Sequence, residues 1–276
     1  MDTLFDLARE ALHCCSFDGK KKLIASIFCE LGNEQFDVTG QVAPERISQA
    51  GRPSLPILVP PTEVKRRRLG SIEGRVALIH AVAHIELNAV NFALDAIYRF
   101  RGMPHQYYRD WIRVASEEAT HFELLSERLR QLSSYYGELP AHGGMWAMAV
   151  ATDYDVMARM ALVPRVLEAR GLDVTPGMIE KLRGVGDLDT VSIFQRILKE
   201  EVDHVRIGNE WFGWVCERRG LCALTAFKDL LQKHGRIALR GPFNEQARLD
   251  AGFTREELKE LHWLEQEFRG QLQPVS

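Results

Sequence analysis

The sequence predicts an all-α protein, and three observations lead to that prediction. Apolar residues recur at helical spacing through a long region, residues 71–219, that contains few helix breakers. No segment shows the strict alternation of apolar and polar residues that is typical of a β-strand. Of the 276 residues, 46% are hydrophobic, which is enough for a sizeable buried core. We therefore expect a globular helical protein.

Proline and glycine divide the chain into three predicted parts. Residues 1–70 begin with a helix at about residues 3–15 and continue as irregular chain packed on the rest of the protein. Within that part, G-R-P-S-L-P-I-L-V-P-P at residues 51–61 is typical of extended surface chain. Residues 71–220 form the central helical bundle, and residues 221–276 form a helical extension.

Four principal helices are predicted in the central part. Their approximate bounds are residues 71–100, 105–135, 153–170 and 189–220. Gly102, Gly137 and Gly171 follow the first three, as expected for the left-handed residue that commonly ends a helix. Asp189 is the candidate N-cap of the fourth.

Shorter helices are predicted around this bundle. Thr175 and Pro176 are typical of the cap and first residue of a short helix, and residues 146–151 favour another. A further helix runs from after Gly220 to about residue 233. Thr254 and Glu257 match a capping box at the start of a last helix.

The composition argues against several classes of protein. A net charge of −3 gives no general attraction to nucleic acid or membrane, and K-R-R-R at residues 65–68, the longest basic run, is interpreted as a solvated stretch. We find no signal peptide and no apolar run near the roughly 18 residues of a membrane span, so we expect a cytoplasmic protein without membrane association. The five cysteines lack C-x-x-C spacing and are expected to be reduced thiols.

Acidic residues occupy the apolar stripes of three predicted helices. Glu86 shares its stripe with Ile79, Val82, Ala83, Ala89, Val90 and Ala93. Glu118 and His121 lie on one apolar stripe of the second helix, and Glu201 and His204 lie on one of the fourth. These three helices therefore aim carboxylates into the core.

A bound cation explains buried acids best. Burying an unpaired carboxylate costs several kcal/mol, and the core-facing positions offer almost no lysine or arginine. Glu168 is the best candidate for a fourth acid, because Glu168 precedes Glu201 by 33 residues and Glu86 precedes Glu118 by 32. The chain thus contains two similar hairpins, each with one Glu followed by one Glu-x-x-His.

Two single glutamates with two Glu-x-x-His pairs are the ligand set of di-iron or di-manganese sites in four-helix bundles. Residues three apart in a helix project side by side and can bind one metal. Carboxylates with one imidazole per ion suit iron or manganese better than structural zinc. Residues 136–152 are long enough to return the chain so that the second and third helices run parallel.

Several neighbouring residues have open roles. Glu117 and Glu200 could each accept the free ring N–H of a ligand histidine on the opposite helix, or could be exposed helix acids. His80 and His84 are interpreted as helix-packing or surface residues. Two residues of the predicted third helix also have expected roles. Pro164 is expected to kink the third helix, and Arg165 to pair with Glu117 or Glu200 or to face solvent.

Five motifs carry a resemblance to a known family. They are A-H-I-E-L at 83–87, E-E-A-T-H at 117–121, L-E-A-R-G-L-D at 167–173, E-E-V-D-H at 200–204 and G-P-F-N at 241–244. Through them the chain resembles a bacterial ferritin-like family of unknown function and, more distantly, the diiron tRNA hydroxylase. The resemblance implies a ferritin-like four-helix bundle, with additional N- and C-terminal helices, around a non-haem diiron centre. Glu86, Glu118 and His121 would hold one iron and Glu168, Glu201 and His204 the other, with Glu118 and Glu201 bridging.

Three functions follow from these expectations. The first is an O2-activating oxidase or hydroxylase with two iron ions, or a manganese and iron pair, and an unknown small organic substrate. It would need an external electron donor, since the chain has no G-x-G-x-x-G fingerprint or redox cysteines. The second is a ferroxidase or iron-handling protein, and the third is a non-catalytic bundle whose acids pair among themselves. A tRNA substrate is disfavoured by the negative charge but stays open, as does a homodimer.

Overall fold

The structure is a computed structural model that describes residues 4–32, 38, 42–65, 67–234 and 239–272, with side chains described as far as residue 268. Helices dominate these residues, which contain no β-strand and one isolated bridge, between Leu58 and Ala141. The predicted all-α class is confirmed. The α-helices are α1 Leu4–His13, α2 Phe17–Gly32, α3 Ile72–Arg99, α4 His105–Gln131, α5 Gly144–Ala151, α6 Val156–Leu162, α7 Ala169–Gly184, α8 Leu188–Arg218, α9 Ala223–His234, α10 Glu245–Asp250 and α11 Arg255–Leu272. A 3₁₀ turn spans Pro61–Glu63 and a π-helical segment spans Val163–Glu168.

The described chain divides into two compact units, residues 1–153 with 181–193, and residues 154–180 with 194–276. The division falls inside α7 and α8, so neither unit is a continuous stretch of sequence. The three-part division expected from proline and glycine stays a prediction.

A long hairpin of α3 and α4 is the centre of the first unit. Ser71 caps α3 through a hydrogen bond from Gly74 N to its hydroxyl, and Gly102, with φ 73°, follows the helix as predicted. The short connection makes the two helices antiparallel neighbours. Helices α1, α2 and α5 pack against this pair, so nearly every residue of α3 from Ala89 to Arg99 is buried.

Helix α2 was missed by the sequence analysis, which expected irregular chain after the first helix. Its buried positions are Lys20, Ile24, Ile27 and Leu31, a helical stripe whose first member is a lysine. The Lys20 ammonium donates to the backbone carbonyl of Ala11, and burial lowers its pKa to about 8. A charged residue in an apolar stripe conceals the helical pattern.

Helix α3 also corrects the expectation about apolar runs. By length and composition it could cross a membrane, since an 18-residue window reaches a mean hydropathy of 1.3. The same window is 67% buried within the protein, as expected of a core helix. The statement that no run approaches a membrane span was therefore too strong.

The ends of two predicted helices differ from the structure. Helix α4 ends at Gln131, because Ser133 adopts the left-handed conformation, with φ 58°, and Ser134 N donates to Leu129 O at 2.9 Å. At the start of α8 the N-cap is Asp187 rather than Asp189, since Asp187 Oδ1 accepts from Thr190 N at 3.2 Å. Local hydrogen bonding, rather than the nearest glycine or the nearest aspartate, decides these positions.

In the second unit, the predicted stop at Gly171 and the separate helix at Pro176 are both wrong. Helix α6 continues through the π-helical segment into α7, where Gly171 lacks the positive φ of a helix stop and Pro176 is an interior residue. Pro176 has no N–H for the carbonyl four residues earlier, that of Leu172. The Asn244 side chain donates to that carbonyl at 3.1 Å, which allows the helix to pass through the proline.

The predicted disturbance at Pro164 takes the form of the π-helical segment, in which Pro164 is the second residue. Gly208 of α8 faces it. A Cβ built on Gly208 would lie only 2.3 Å from Pro164 Cβ, so this close approach of two helices requires glycine.

Three further predictions are confirmed: the short helix near residue 146, the helix ending near residue 233 and the capping box. In the capping box, Thr254 N donates to Glu257 Oε2 at 2.9 Å and Glu257 N donates to Thr254 Oγ1 at 3.1 Å.

Candidate metal centre

Three of the predicted ligands meet in the first unit. Glu86 comes from α3, and Glu118 and His121 come from one face of α4. His121 Nδ1 lies 3.1 Å from Glu86 Oε2 and 3.4 Å from Glu118 Oε2. Glu86 is 3% exposed, and Glu118 and His121 are fully buried. The α3–α4 hairpin therefore carries a compact group of two carboxylates and one imidazole in its core.

The electrostatics of this group are those of acids held close together away from water. Burial and the charge of Glu118 raise the pKa of Glu86 well above its usual range, against the hydrogen bond from His121. Burial lowers the pKa of His121, but hydrogen bonds to Glu118 and Glu86 outweigh it and raise the value to about 11. Without another cation, protons held by His121 and Glu86 offset the buried negative charge.

The same arrangement fits a metal ion. One possible ligand atom from each of Glu86, Glu118 and His121 lies within 4.8 Å of the other two. A divalent cation can replace the proton on His121 and neutralise both carboxylates, which removes the cost of burying them. This buried Glu and His cluster could therefore hold a metal ion.

The predicted ligands of the second hairpin lie in the second unit. Glu201 and His204 are neighbours on α8, with Oε1 3.7 Å from Nδ1, and their exposed fractions are 8% and 0%. Glu168 is the last residue of the π-helical segment and is 7% exposed. The predicted burial of all three is thus observed.

Glu117 and Glu200, the predicted supporting acids, are less buried than the predicted ligands. Glu117 is half-buried, and Glu200, also half-buried, accepts a hydrogen bond from Arg196 Nε at 3.1 Å on its own helix. Their role as acceptors for the ligand histidines stays a prediction.

Comparison with known proteins assigns the chain to a family. The family described as a protein of unknown function, DUF455, matches residues 14–259. The chain belongs to this family. It is also 43% identical over 256 residues to an uncharacterized protein of Haemophilus influenzae, a match that covers 86% of this chain and 89% of that protein. No solved structure matches. The ferritin-like resemblance and the likeness to the tRNA hydroxylase stay predictions.

In this DUF455 chain, the two other histidines of α3 pack as predicted. His80 Nε2 accepts from Gly137 N at 2.9 Å, and its ring stacks on Tyr136 with centroids 5.2 Å apart. His84 Nδ1 lies 2.8 Å from the Tyr136 hydroxyl. Burial lowers the pKa of both imidazoles to about 4, so both are neutral near pH 7.

Arg165 does not take any of the predicted positions. It is 2% exposed, pairs with Glu257 at the start of α11, and lies over three aromatic rings. Its guanidinium carbon is 4.4, 4.0 and 4.9 Å from the ring centroids of Phe212, Phe227 and Phe253. The expectation that the core offers almost no arginine was therefore wrong, since Arg159 and Arg248 are also buried. The partner acid lies 92 residues away, so no local pattern indicates it.

Proposed function

We propose that this protein is a non-haem diiron carboxylate protein that acts as an O2-activating oxidase or hydroxylase. The observation that supports the proposal most is the buried cluster of Glu86, Glu118 and His121. Two acids and an imidazole within reach of one ion, with almost no access to water, match the ligands that iron prefers in helical bundles.

The second ion of the proposed centre would be held by the matching residues of the other hairpin. Glu168, Glu201 and His204 repeat the residue types of the first set, are also buried, and occur at nearly the same spacing in the sequence. In the proposal, each hairpin would hold one of the two ions. Manganese could replace one iron, because both metals accept this donor set.

The bound metals would supply redox chemistry with oxygen. The chain's own residues bind and orient them. Placing Glu118 and His121 three positions apart on α4 aims both side chains at one ion, and α3 adds Glu86 from the facing helix. Burial excludes water from the ligands and strengthens their interaction with a cation. Electrons would come from an external donor, and the organic substrate is unassigned.

Metal analysis of protein purified without chelator tests the proposal. We expect about two iron or manganese ions per chain in the wild type. Glu118→Gln keeps the shape of the side chain but removes its charge, and should lower the content to about one ion or fewer. The matched control is Glu127→Gln on the same helix, because Glu127 is exposed and pairs with Arg130 at the surface.

Oxygen uptake then separates the candidate functions. Reduced, iron-loaded wild type should consume oxygen repeatedly when an electron donor is supplied. Many iron atoms per chain together with shell-sized particles in light scattering would instead identify an iron-handling protein. Zinc alone, or less than one ion per chain after iron supplementation, would overturn the metal centre itself.

A further inference from the structure

A cavity of about 260 Å³ lies in the first unit, between α3, α5 and the extended chain near residues 48–58. Its lining combines apolar and polar side chains, including Ala50, Arg52, Leu58, Leu87, Asn91 and Trp146. The volume lies just below the roughly 300–1,000 Å³ of pockets that hold drug-sized ligands. A small molecule therefore fits it.

This cavity is separate from the candidate metal centre. Helix α3 lines it with His84, Leu87, Asn88 and Asn91, which share one face at spacings of three, four and seven. At about 100° per residue, Glu86 lies roughly 150° around the helix from the middle of that face. The body of α3 therefore stands between the cavity and the Glu86 carboxylate.

Asn91 is a buried polar group that the protein itself does not satisfy. The residue is 3% exposed, and its Oδ1 has no hydrogen-bond partner among the described residues. An unsatisfied buried amide costs about 1–3 kcal/mol in the free protein. A ligand that donates a hydrogen bond to Asn91 recovers that cost on binding.

Arg52 supplies a positive charge at the cavity. Its Nη1 donates to the carbonyls of Pro53 and Pro56, at 3.0 and 2.9 Å, and its buried Nε makes no hydrogen bond. Within the described part of the chain no carboxylate pairs with this guanidinium. The two carbonyls hold it in place, and its charge is left for an anionic ligand.

The remaining wall is mostly apolar. Trp146 Nε1 donates to Ile47 O at 3.3 Å, and the indole stacks on Phe92 with centroids 6.1 Å apart. Leu58 and Leu87 add aliphatic surface. A flat hydrocarbon or aromatic body can pack against this wall.

We propose that this cavity binds a small carboxylic acid whose apolar or aromatic body carries a hydrogen-bond donor. The carboxylate pairs with Arg52, the donor bonds Asn91 Oδ1, and the body packs between Leu87 and Trp146. The proposal does not depend on the metal centre.

Binding of 4-hydroxybenzoate, measured by calorimetry and by the fluorescence of Trp146, tests the proposal. Two analogues of 4-hydroxybenzoate each lack one of its recognition groups. 4-Hydroxybenzamide has no negative charge, and benzoate has no hydroxyl to donate a hydrogen bond. We expect 4-hydroxybenzoate to bind with a Kd of about 1 mM or below, and each analogue to bind roughly tenfold more weakly. Inorganic phosphate, which has charge without a body, should bind weakly or not at all.

Variants assign the binding to these residues. Arg52→Gln and Asn91→Leu should each weaken 4-hydroxybenzoate binding by roughly tenfold, whereas Arg52→Lys should restore part of it. Exposed Arg68→Gln is the control, and unchanged circular dichroism shows that each variant is folded. Metal content should be the same in all of them, which separates a failure here from a failure of the proposed function.

Two results would overturn the proposal. One is the absence of 4-hydroxybenzoate binding to the wild type at about 5 mM. The other is binding that Arg52→Gln and Asn91→Leu both leave unchanged, since the acid would then occupy a different place.

Discussion

His80 shows what a single buried side chain contributes to stability. Its Nε2 accepts the Gly137 N–H, which requires a neutral imidazole. Its ring also stacks on Tyr136. Burial lowers its pKa from the ordinary 6.5 to about 4. Between these values the unfolded chain binds a proton that the folded protein does not, so stability falls as the pH falls from about 6.5 towards 4.

Replacing His80 with glutamine should remove this dependence. Glutamine places an acceptor near the position of Nε2 but does not titrate. Between pH 7 and pH 5, metal-free wild type should lose about 2 kcal/mol more unfolding free energy than His80→Gln, from a shift of 6.5 to about 4. Urea unfolding at the two pH values measures the difference. Equal losses in both proteins would mean that His80 does not bind a proton on unfolding.

At this scale the sequence predicted the buried acids and histidines well. Glu86, Glu118 and His121 lie on apolar stripes, and a stripe is a local property that sequence carries. Glu168 was selected by its spacing from Glu201 rather than by a stripe, and it is the last residue of a π-helical segment, across which helical counting by 3.6 residues fails. Arg165 was mispredicted because its partner, Glu257, is distant in sequence.

The helix that continues through Pro176 depends on a neighbouring loop. Asn244 donates its side-chain N–H to Leu172 O, accepts the Ala247 N–H at the start of α10, and donates its backbone N–H to Asp173. One residue of the G-P-F-N motif thus supplies the bond that proline cannot make. The motif has a structural role in α7 that the resemblance alone did not indicate.

A double-mutant cycle tests this dependence. Asn244→Ser keeps an acceptor for the cap of α10 but loses the donor to Leu172, and should cost about 1–2 kcal/mol of unfolding free energy. In a Pro176→Ala background residue 176 regains its N–H and bonds Leu172 itself. The cost of Asn244→Ser should then fall by about 1 kcal/mol, measured by urea unfolding. Additive effects would show that the two positions are independent.

Elements were predicted where a strong periodic pattern met a clear boundary, as at α3 with Ser71 and Gly102. Prediction failed where the effect of a helix-breaking residue is compensated by a residue distant in the sequence. The local sequence predicts the end of one helix at Gly171 and the start of another at Pro176, but packing and Asn244 keep the helix continuous. Helix α2 was not predicted because buried Lys20 interrupts its apolar stripe.

For the whole molecule, a metal that binds only the folded state should raise its stability. Without metal, the cluster relies on a proton at His121, whose pKa is raised to about 11. Occupancy at about 1,000 times Kd contributes about 4 kcal/mol, which corresponds to roughly 10 °C in melting temperature for a chain of this size.

Chelator treatment measures this contribution. Calorimetric melting of protein as purified and after treatment with a chelator should differ by roughly that amount, and added iron should restore the higher temperature. Glu118→Gln should show a smaller difference. An unchanged melting temperature would favour the bundle whose acids and histidine pair among themselves.

The all-α class could be predicted for the whole molecule because it depends on patterns present throughout the chain. The division into two units could not, because it depends on which distant segments pack together.

The close approach of Gly208 to Pro164 has a consequence for the history of the family. With 2.3 Å between a built Cβ and Pro164 Cβ, position 208 cannot gain a side chain while position 164 keeps its own. Losing the ring at position 164 alone would not make room, because every residue except glycine keeps a Cβ there, so a lineage that gains a side chain at position 208 must first gain glycine at position 164 or move the two helices apart. The two residues, 44 positions apart in sequence, should therefore be inherited as one character, and so should the π-helical segment that ends at Glu168.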